Sequence, residues 1–148
     1  ESFDVVISEC SFCTFPDKGK AAQEMARVLH RHGQLGMTDV TISRSLPEDV
    51  QSLLTWVACL TGAGSPDLYV SILSNAGFTE FLIEDKRDSL LEMVNNIRRS
   101  LLGIELAVGI RKLELGDLDL AKVKSLAQRA KKLIDSGVIG YTLFKANK

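Results

Sequence analysis

The stretch from Glu9 to Cys13 places a carboxylate and two thiols within one short loop. A carboxylate at the closed end of a strand can serve as a general base or hold a cationic substrate, although Glu9 could equally be a solvated loop acid. Cysteine thiolates are soft ligands that suit thiophilic metals or metalloids. Buried cysteine, in contrast, often serves only as a small hydrophobic residue. For Cys10 the residue pattern favours the site.

Cys10 and Cys13 also form a C-x-x-C motif, which could indicate redox chemistry or half of a zinc site. A single motif is a weak signal for zinc, because a structural site needs a second pair of Cys or His ligands. A thioredoxin-like centre would need a helix that opens at the first cysteine directly after a strand, and this context is missing. The alternative stays open for Cys13 only, and no metal site is predicted.

Further candidates lie outside this stretch. Asp39 is expected to end a strand at the same sheet edge, where it could line a pocket or accept backbone N–H bonds from a loop. Cys59, on a predicted helix, could be a core residue or a soft ligand, and Trp56 could be packing or a substrate wall. His30 and His32 are expected on the last turn of a helix, where basic residues favour the negative helix end. Neither histidine is predicted to be catalytic.

Two strands and a helix must position these residues. The sequence predicts a strand at 3–8, a helix from the N-cap Asp17 to His32 with Gly33 as the residue after it, and a strand at 35–40. A strand, a crossover helix and a second strand form the unit of a parallel sheet, which carries its sites past the carboxyl ends of the strands. Because residues 3–7 lack clean alternation, we expect the first strand to be central and covered on both faces.

The remaining elements are predicted from caps, glycines and apolar periodicity. They are helices at about 45–61 and 65–76, a strand at 78–83, a helical stretch at about 86–113, a helix from Asp117 or Asp119 to Gly137, and a strand at 138–144. The long helical stretch could break near Gly103 or Gly109. Placing two helices between the last two strands implies a helical insertion at about 86–136 within a single domain that covers residues 1–148.

Composition limits the classes of function. The 148 residues are 45% hydrophobic, and 18 Lys and Arg against 19 Asp and Glu give a net charge of −1. This balance argues against a nucleic-acid partner and against an anionic membrane surface. No apolar run approaches the length that spans a bilayer, so a cytoplasmic location is expected. Three cysteines, an odd number, favour thiols in a reducing compartment over a disulfide framework.

Several segments resemble the C-terminal half of class I S-adenosylmethionine-dependent methyltransferases. Residues 3–8 are similar to the family's fourth strand, residues 24–35 to its E-x-x-R-V-L-K-P-G-G-x-L passage, and residues 75–78 to its x-A-G-F turn. The resemblance to arsenite methyltransferases extends to more segments. Residues 4–10 and 16–18 resemble their D-V-V-I-S-N-C…P-D-K segment. Residues 38–40 resemble their S-D-V segment, and residues 57–63 resemble their G-E-C-x-x-G-A segment. The resemblance covers residues 3–83 and weakens from 84 to 137.

The resemblance implies an α/β fold. The expected architecture is a partial Rossmann-like methyltransferase sheet of parallel strands with a final antiparallel strand, flanked by helices. By the same match, Cys10 and Cys59 occupy the positions of two thiols that hold trivalent arsenic. Glu9 stands where those enzymes have Asn, and Cys13 is additional.

The predicted site residues fall into three sets. The predicted catalytic residues are Glu9 and Cys10, the predicted substrate-binding residues are Cys10, Cys59, Cys13 and Trp56, and the predicted cofactor-binding residues are Ser8, Glu9 and Phe15.

The family places its cofactor elements before the fourth strand. These are a Gly-rich turn, an acidic residue that holds the ribose hydroxyls, and an adenine-side loop. Because Glu1 is followed almost at once by the first predicted strand, we expect a fragment that binds S-adenosylmethionine only together with a missing N-terminal half. Its first strand would expose an unpaired edge that pairs with that half or with a second copy.

Two functions are therefore expected as alternatives. The first is the substrate-side half of a methyltransferase, inactive alone, which acts on a small molecule or a thiol-bound metalloid. The second is a non-catalytic α/β module that oligomerises through its open sheet edge.

Overall fold

The computed structural model describes residues 2–46, 60, 62–109 and 120–148. These residues form a one-turn 3-10 helix at Phe12–Thr14, four strands and four α-helices. The strands are β1 (Phe3–Glu9), β2 (Leu29–Ile42), β3 (Thr79–Asp85) and β4 (Ile139–Asn147), and the helices are α1 (Lys18–Val28), α2 (Pro66–Asn75), α3 (Arg87–Gly109) and α4 (Leu120–Asp135). The predicted helix at 45–61 falls almost entirely outside the described residues, as do Asp117 and Asp119.

One mixed sheet organises the described chain, with the strand order β1-β2-β4-β3. Strand β1 runs parallel to β2, with α1 as the crossover, while β4 is antiparallel to both of its neighbours. The predicted α/β class is confirmed, including the antiparallel final strand and the helices that precede it. Of the two glycines at which a break was considered, α3 continues through Gly103, and the described part of the helix ends at Gly109.

The starts of α1 and α2 were predicted correctly because their caps are local. The Asp17 carboxylate accepts from the backbone N–H of Lys20 at 2.8 Å, and the Ser65 hydroxyl accepts from that of Leu68 at 3.1 Å. Each bond satisfies one of the first-turn N–H groups that have no partner within the helix. Gly77, which follows α2, has a φ of 101°, a backbone conformation that glycine adopts without steric cost.

The predicted end of α1 is wrong by about one turn. The helix stops at Val28, and Leu29 is already extended and fully buried. Strand pairing explains the difference: Leu29 pairs with Phe3 of β1, and His32 donates its backbone N–H to the Lys148 carbonyl at 3.2 Å. His30 and His32 therefore lie exposed at the start of β2, not on a helical turn. Tertiary pairing has overridden a helical sequence pattern.

The expectation that β1 is a central strand is also wrong for the described chain, because β1 forms one edge of the sheet. Phe3, Val5 and Ile7 are 57%, 51% and 81% exposed. Of the β1 side chains, only Val6, which packs against the core, and the buried Ser8 are not exposed. Strand β1 is covered on one face only, the face on which α1 and α2 pack.

Two apolar clusters hold the helices on the sheet. The larger cluster packs α1 and α2 on one face, and its buried members include Leu35, Met37 and Phe144. The smaller cluster packs α3 and α4 on the other face, near Val40 and Ile139. The carboxyl end of β2 is therefore covered on both faces. No described helix is long and apolar enough to cross a membrane.

Candidate functional site

The carboxyl end of β1 presents its chemistry to solvent. Glu9 and Cys10 are exposed, and Cys10 adopts a φ of 47°, a left-handed conformation that is uncommon for a residue with a Cβ. Its backbone N–H donates to the Thr38 carbonyl of β2 at 2.9 Å. Ser8, one of the predicted cofactor contacts, is buried, and its hydroxyl bonds that of Ser11 at 2.8 Å. The exposed groups at this strand end are thus a carboxylate and a thiol.

The loop after β1 is anchored by an aromatic cluster. Phe12 is fully buried and meets Tyr69 edge to face, with ring centroids 5.2 Å apart. Phe15, another predicted cofactor contact, packs its ring edge to face on Phe12 at 6.2 Å and is only partly exposed. Burial raises the pKa of Tyr69 far above its usual range, although its hydroxyl accepts from the Gly64 N–H. The cluster fixes the loop that follows Cys10.

The two cysteines of the C-x-x-C motif have different surroundings. Both carry thiols, but Cys10 is exposed whereas Cys13 is 1% exposed. The Cys13 carbonyl leaves no room for a side chain at Gly62, so the loop at 62–64 lies directly against it. Within the described ranges, no group of three or more His, Cys, Asp or Glu residues could hold a metal ion. The structure therefore directs only Cys10 of this pair toward solvent.

Asp39 links the loop to β2. It is fully buried, and its Oδ2 accepts from the Cys13 backbone N–H at 3.0 Å while Oδ1 accepts from the Val40 N–H at 2.7 Å. Of the two roles considered from the sequence, the structure shows the acceptor of loop N–H bonds. Asp39 was expected to end its strand, and this is wrong, because β2 continues to Ile42.

Sequence reasoning missed two site residues, Tyr141 of β4 and Thr38 of β2. The Cys10 thiol donates to the Tyr141 hydroxyl oxygen at 3.4 Å, and that hydroxyl donates to Thr38 Oγ1 at 3.1 Å. Burial, followed by the bond to Cys10, raises the pKa of Tyr141 to about 12, and the negative charge of Glu9 adds to the rise. No local sequence signal marks Tyr141, because its proximity to Cys10 depends on the strand order.

Two predicted substrate residues, Trp56 and Cys59, lie outside the described residues. The structure thus brings together Glu9, Cys10, Thr38 and Tyr141, which lie in β1, β2 and β4 or directly after β1. Ser8 and Cys13 are buried, and Phe15 is partly buried against Phe12.

The sequence profile of a family described as "Methyltransferase domain" matches residues 1–77, just over half of the chain. The chain belongs to this methyltransferase family. The predicted resemblance to S-adenosylmethionine-dependent methyltransferases, and to arsenite methyltransferases among them, is confirmed by the relatives below.

Two relatives of this methyltransferase chain illustrate the match. Mouse arsenite methyltransferase is 45% identical over 64 residues, which are 43% of this chain and 17% of that protein. The sarcosine/dimethylglycine N-methyltransferase of Halorhodospira halochloris is 32% identical over 99 residues, which are 67% of this chain and 36% of that protein. The chain therefore spans well under half of the length of these relatives.

Solved structures of methyltransferases share the fold. A putative sarcosine dimethylglycine methyltransferase from Galdieria sulphuraria superposes with a TM-score of 0.78 at 22% identity, over 99% of this chain and 53% of that one. Phosphoethanolamine N-methyltransferase 2 from Haemonchus contortus, solved in complex with S-adenosyl-L-methionine, gives a TM-score of 0.77 at 16% identity, over 99% and 33%. Identities this low support the fold alone.

Proposed function

We propose that this chain forms the acceptor side of an S-adenosylmethionine-dependent methyltransferase, with Cys10 as a thiol ligand of the methyl acceptor. One observation carries the proposal: the Cys10 thiol is exposed past the carboxyl end of β1, in a backbone conformation held by β2 and beside a hydroxyl of β4. Parallel strands carry their sites at this end. Glu9, exposed next to the thiol, is proposed as the carboxylate of the same site.

A trivalent metalloid is the acceptor class that this chemistry favours. Soft thiolate ligands select soft acceptors, and several relatives are named arsenite methyltransferases. When a thiol binds arsenous acid, the new S–As bond replaces an As–O bond, and the displaced hydroxide leaves as water with the thiol proton. Cys59 is the proposed second thiol ligand, by its position in the arsenite methyltransferase pattern. The sarcosine relative instead points to a small amine, for which Glu9 would be the binding group.

The fit of the cofactor to the described residues is partial. S-adenosylmethionine, when bound, supplies an electrophilic methyl group. No glycine-rich turn follows β1 or β2, where Glu9-Cys10-Ser11 and Ser43-Arg44 stand instead. Ser8 and Phe15 are packed toward the core, so Glu9 is the exposed polar side chain of the predicted cofactor set. We therefore propose that cofactor binding requires an N-terminal half beyond the 1–148 domain.

Calorimetry tests the cofactor proposal. We expect no micromolar binding heat when S-adenosylmethionine is titrated into this chain, because the described strand ends lack a nucleotide cradle. Joining the chain to the upstream half of a family member is expected to restore saturable binding, with adenosine as the matched control titrant. Micromolar binding by the chain alone would refute the need for the second half.

Replacement of Cys10 by serine tests the acceptor. We expect arsenite affinity to fall at least about tenfold, because one of the soft ligands is lost. The same measurement on Cys59→Ser tests the second ligand. Cys13→Ser is the matched control, since its side chain is 1% exposed and cannot reach a ligand in solvent without unfolding. Unchanged affinity in Cys10→Ser would remove the metalloid from the proposal.

A second candidate function is a non-catalytic module that pairs through β1. It is favoured by the exposure of Phe3, Val5 and Ile7 on an edge strand, a surface that invites pairing with another chain. The calorimetry separates the two candidates, because a pure pairing module would bind no S-adenosylmethionine even after the upstream half is supplied.

A further inference from the structure

The position of the Cys10 sulfur is fixed from two directions. Its backbone φ of 47° lies in the left-handed region, which non-glycine residues keep only where surrounding contacts hold them. Here the Cys10 N–H is bonded to the Thr38 carbonyl at 2.9 Å, so β2 holds the first residue after β1 in place. The sulfur is then bonded to the Tyr141 hydroxyl at 3.4 Å. The mobility of the exposed Cys10 side chain is therefore restricted by its bonds to β2 and β4.

Tyr141 stands between the thiol and a second hydroxyl. With the thiol protonated, the sulfur donates to Tyr141 and Tyr141 donates to Thr38 Oγ1 at 3.1 Å. Loss of the thiol proton removes the first donor and leaves a strong acceptor in its place. A tyrosine hydroxyl can turn to donate to that sulfur, and the threonine hydroxyl can then donate to the tyrosine oxygen. The same three groups thus form a continuous chain of bonds in either state.

Glu9 and the Tyr141 hydroxyl have opposite effects on the charged form of the Cys10 sulfur. Glu9, next in sequence to Cys10, disfavours a second negative charge at the sulfur. A hydrogen bond to the charged form favours the thiolate. Because the pKa of Tyr141 is raised to about 12, its hydroxyl keeps its proton across the neutral range. Two other charged groups on elements near Tyr141 have partners of their own. The Asp39 carboxylate accepts from the backbone N–H groups of Cys13 and Val40, and the Lys86 ammonium pairs with Glu84.

We propose that Tyr141 is a positioning residue for Cys10, which donates a hydrogen bond to the thiolate and so makes this sulfur available to a soft, thiophilic acceptor. The proton of the thiol leaves to solvent base, and Tyr141 keeps its own proton throughout. The inference rests on the proposed function for the identity of the acceptor. The protonation of Cys10 can be measured without any acceptor, so the two can fail separately.

The test is the pH dependence of Cys10 alkylation by iodoacetamide. Fragmentation mass spectrometry reads the label at Cys10 itself, which separates it from the nearby Cys13 and from Cys59. Tyr141→Phe removes only the hydroxyl. We expect the apparent pKa of the thiol to rise by about one unit, because a hydrogen bond to a charged group is lost. Glu9→Gln is expected to move it in the opposite direction, since a neighbouring negative charge is removed.

The other tyrosine of the chain supplies the matched control. Tyr69→Phe removes a buried hydroxyl that contacts Gly64 and the Val40 carbonyl, not Cys10, so the thiol profile should not move. If Tyr141→Phe fails to fold, judged by its thermal melt, Thr38→Val tests the same chain of bonds and should raise the thiol pKa by a smaller amount. A Tyr141→Phe profile that superposes on the parent, or an equal shift in Tyr69→Phe, overturns the proposal.

Arsenite binding separates this inference from the proposed function. A thiol shift in Tyr141→Phe together with a loss of arsenite affinity in Cys10→Ser supports both. A thiol shift with unchanged arsenite affinity in Cys10→Ser supports the role of Tyr141 on the sulfur and overturns the metalloid as its acceptor.

Discussion

Replacing Phe12 by alanine is expected to lower the free energy of unfolding by about 3–5 kcal/mol. The ring is fully buried and makes edge-to-face contacts with both Tyr69 and Phe15. Truncation therefore removes a large buried apolar area and leaves a cavity between the loop and α2, which the surrounding structure can refill only in part. Because the ring anchors the loop directly after Cys10, the variant should also loosen the candidate site.

Phe3 is the matched control for Phe12. It is the same residue type, but 57% exposed on the edge strand, so Phe3→Ala should change stability by no more than about 1 kcal/mol. Guanidinium unfolding followed by tryptophan fluorescence and circular dichroism measures both variants. Comparable losses for Phe12→Ala and Phe3→Ala would contradict the description of the loop as anchored through Phe12.

The parts of the fold that were predictable from sequence are those set by local signals. The Asp17 cap, the helix that begins at residue 65 and the strand–helix–strand unit depend on neighbouring residues and were all confirmed. The end of α1 was not predictable in the same way. Residues 29–32 carry a helical pattern, but pairing with β1 and with the last residue of the chain fixes them as strand.

The placement of β1 shows a second limit of prediction from the sequence. Its apolar run is typical of a strand covered on both faces, yet the described chain leaves three of its large side chains exposed. The apolar pattern of β1 is typical of a strand with neighbours on both faces, whereas the described residues cover only one of its faces. This difference is the physical basis for proposing an additional partner along β1.

The candidate site was only half predictable. Glu9 and Cys10 could be identified because reactive residue types follow a buried-type strand. Tyr141 could not, since it lies 131 positions after Cys10 in the sequence and their contact depends on β4 lying beside β2. For Asp39 the sequence left two roles open, because the choice between pocket and loop acceptor depends on where the Cys13 N–H points.

Replacing Asp39 by alanine is expected to lower the free energy of unfolding by about 3 kcal/mol or more, because two buried backbone donors lose their acceptor. The carboxylate accepts from Cys13 through one oxygen and from Val40 through the other, and it is fully buried. Asp39→Asn should also destabilise the chain, since an amide offers one oxygen and turns its N–H₂ group toward the remaining donor.

Asp17 provides the control that isolates burial as the cause. It too is an aspartate that accepts a backbone N–H, that of Lys20, but it is exposed, so water can replace it in Asp17→Ala. The loss there should be about 1 kcal/mol, typical of a helix N-cap. Equal losses at the two positions would show that Asp39 does not hold the loop. With Asp39→Ala alone, hydrogen exchange at the Cys13 amide should accelerate more than at amides of β4, because this bond ties the loop after Cys10 to β2.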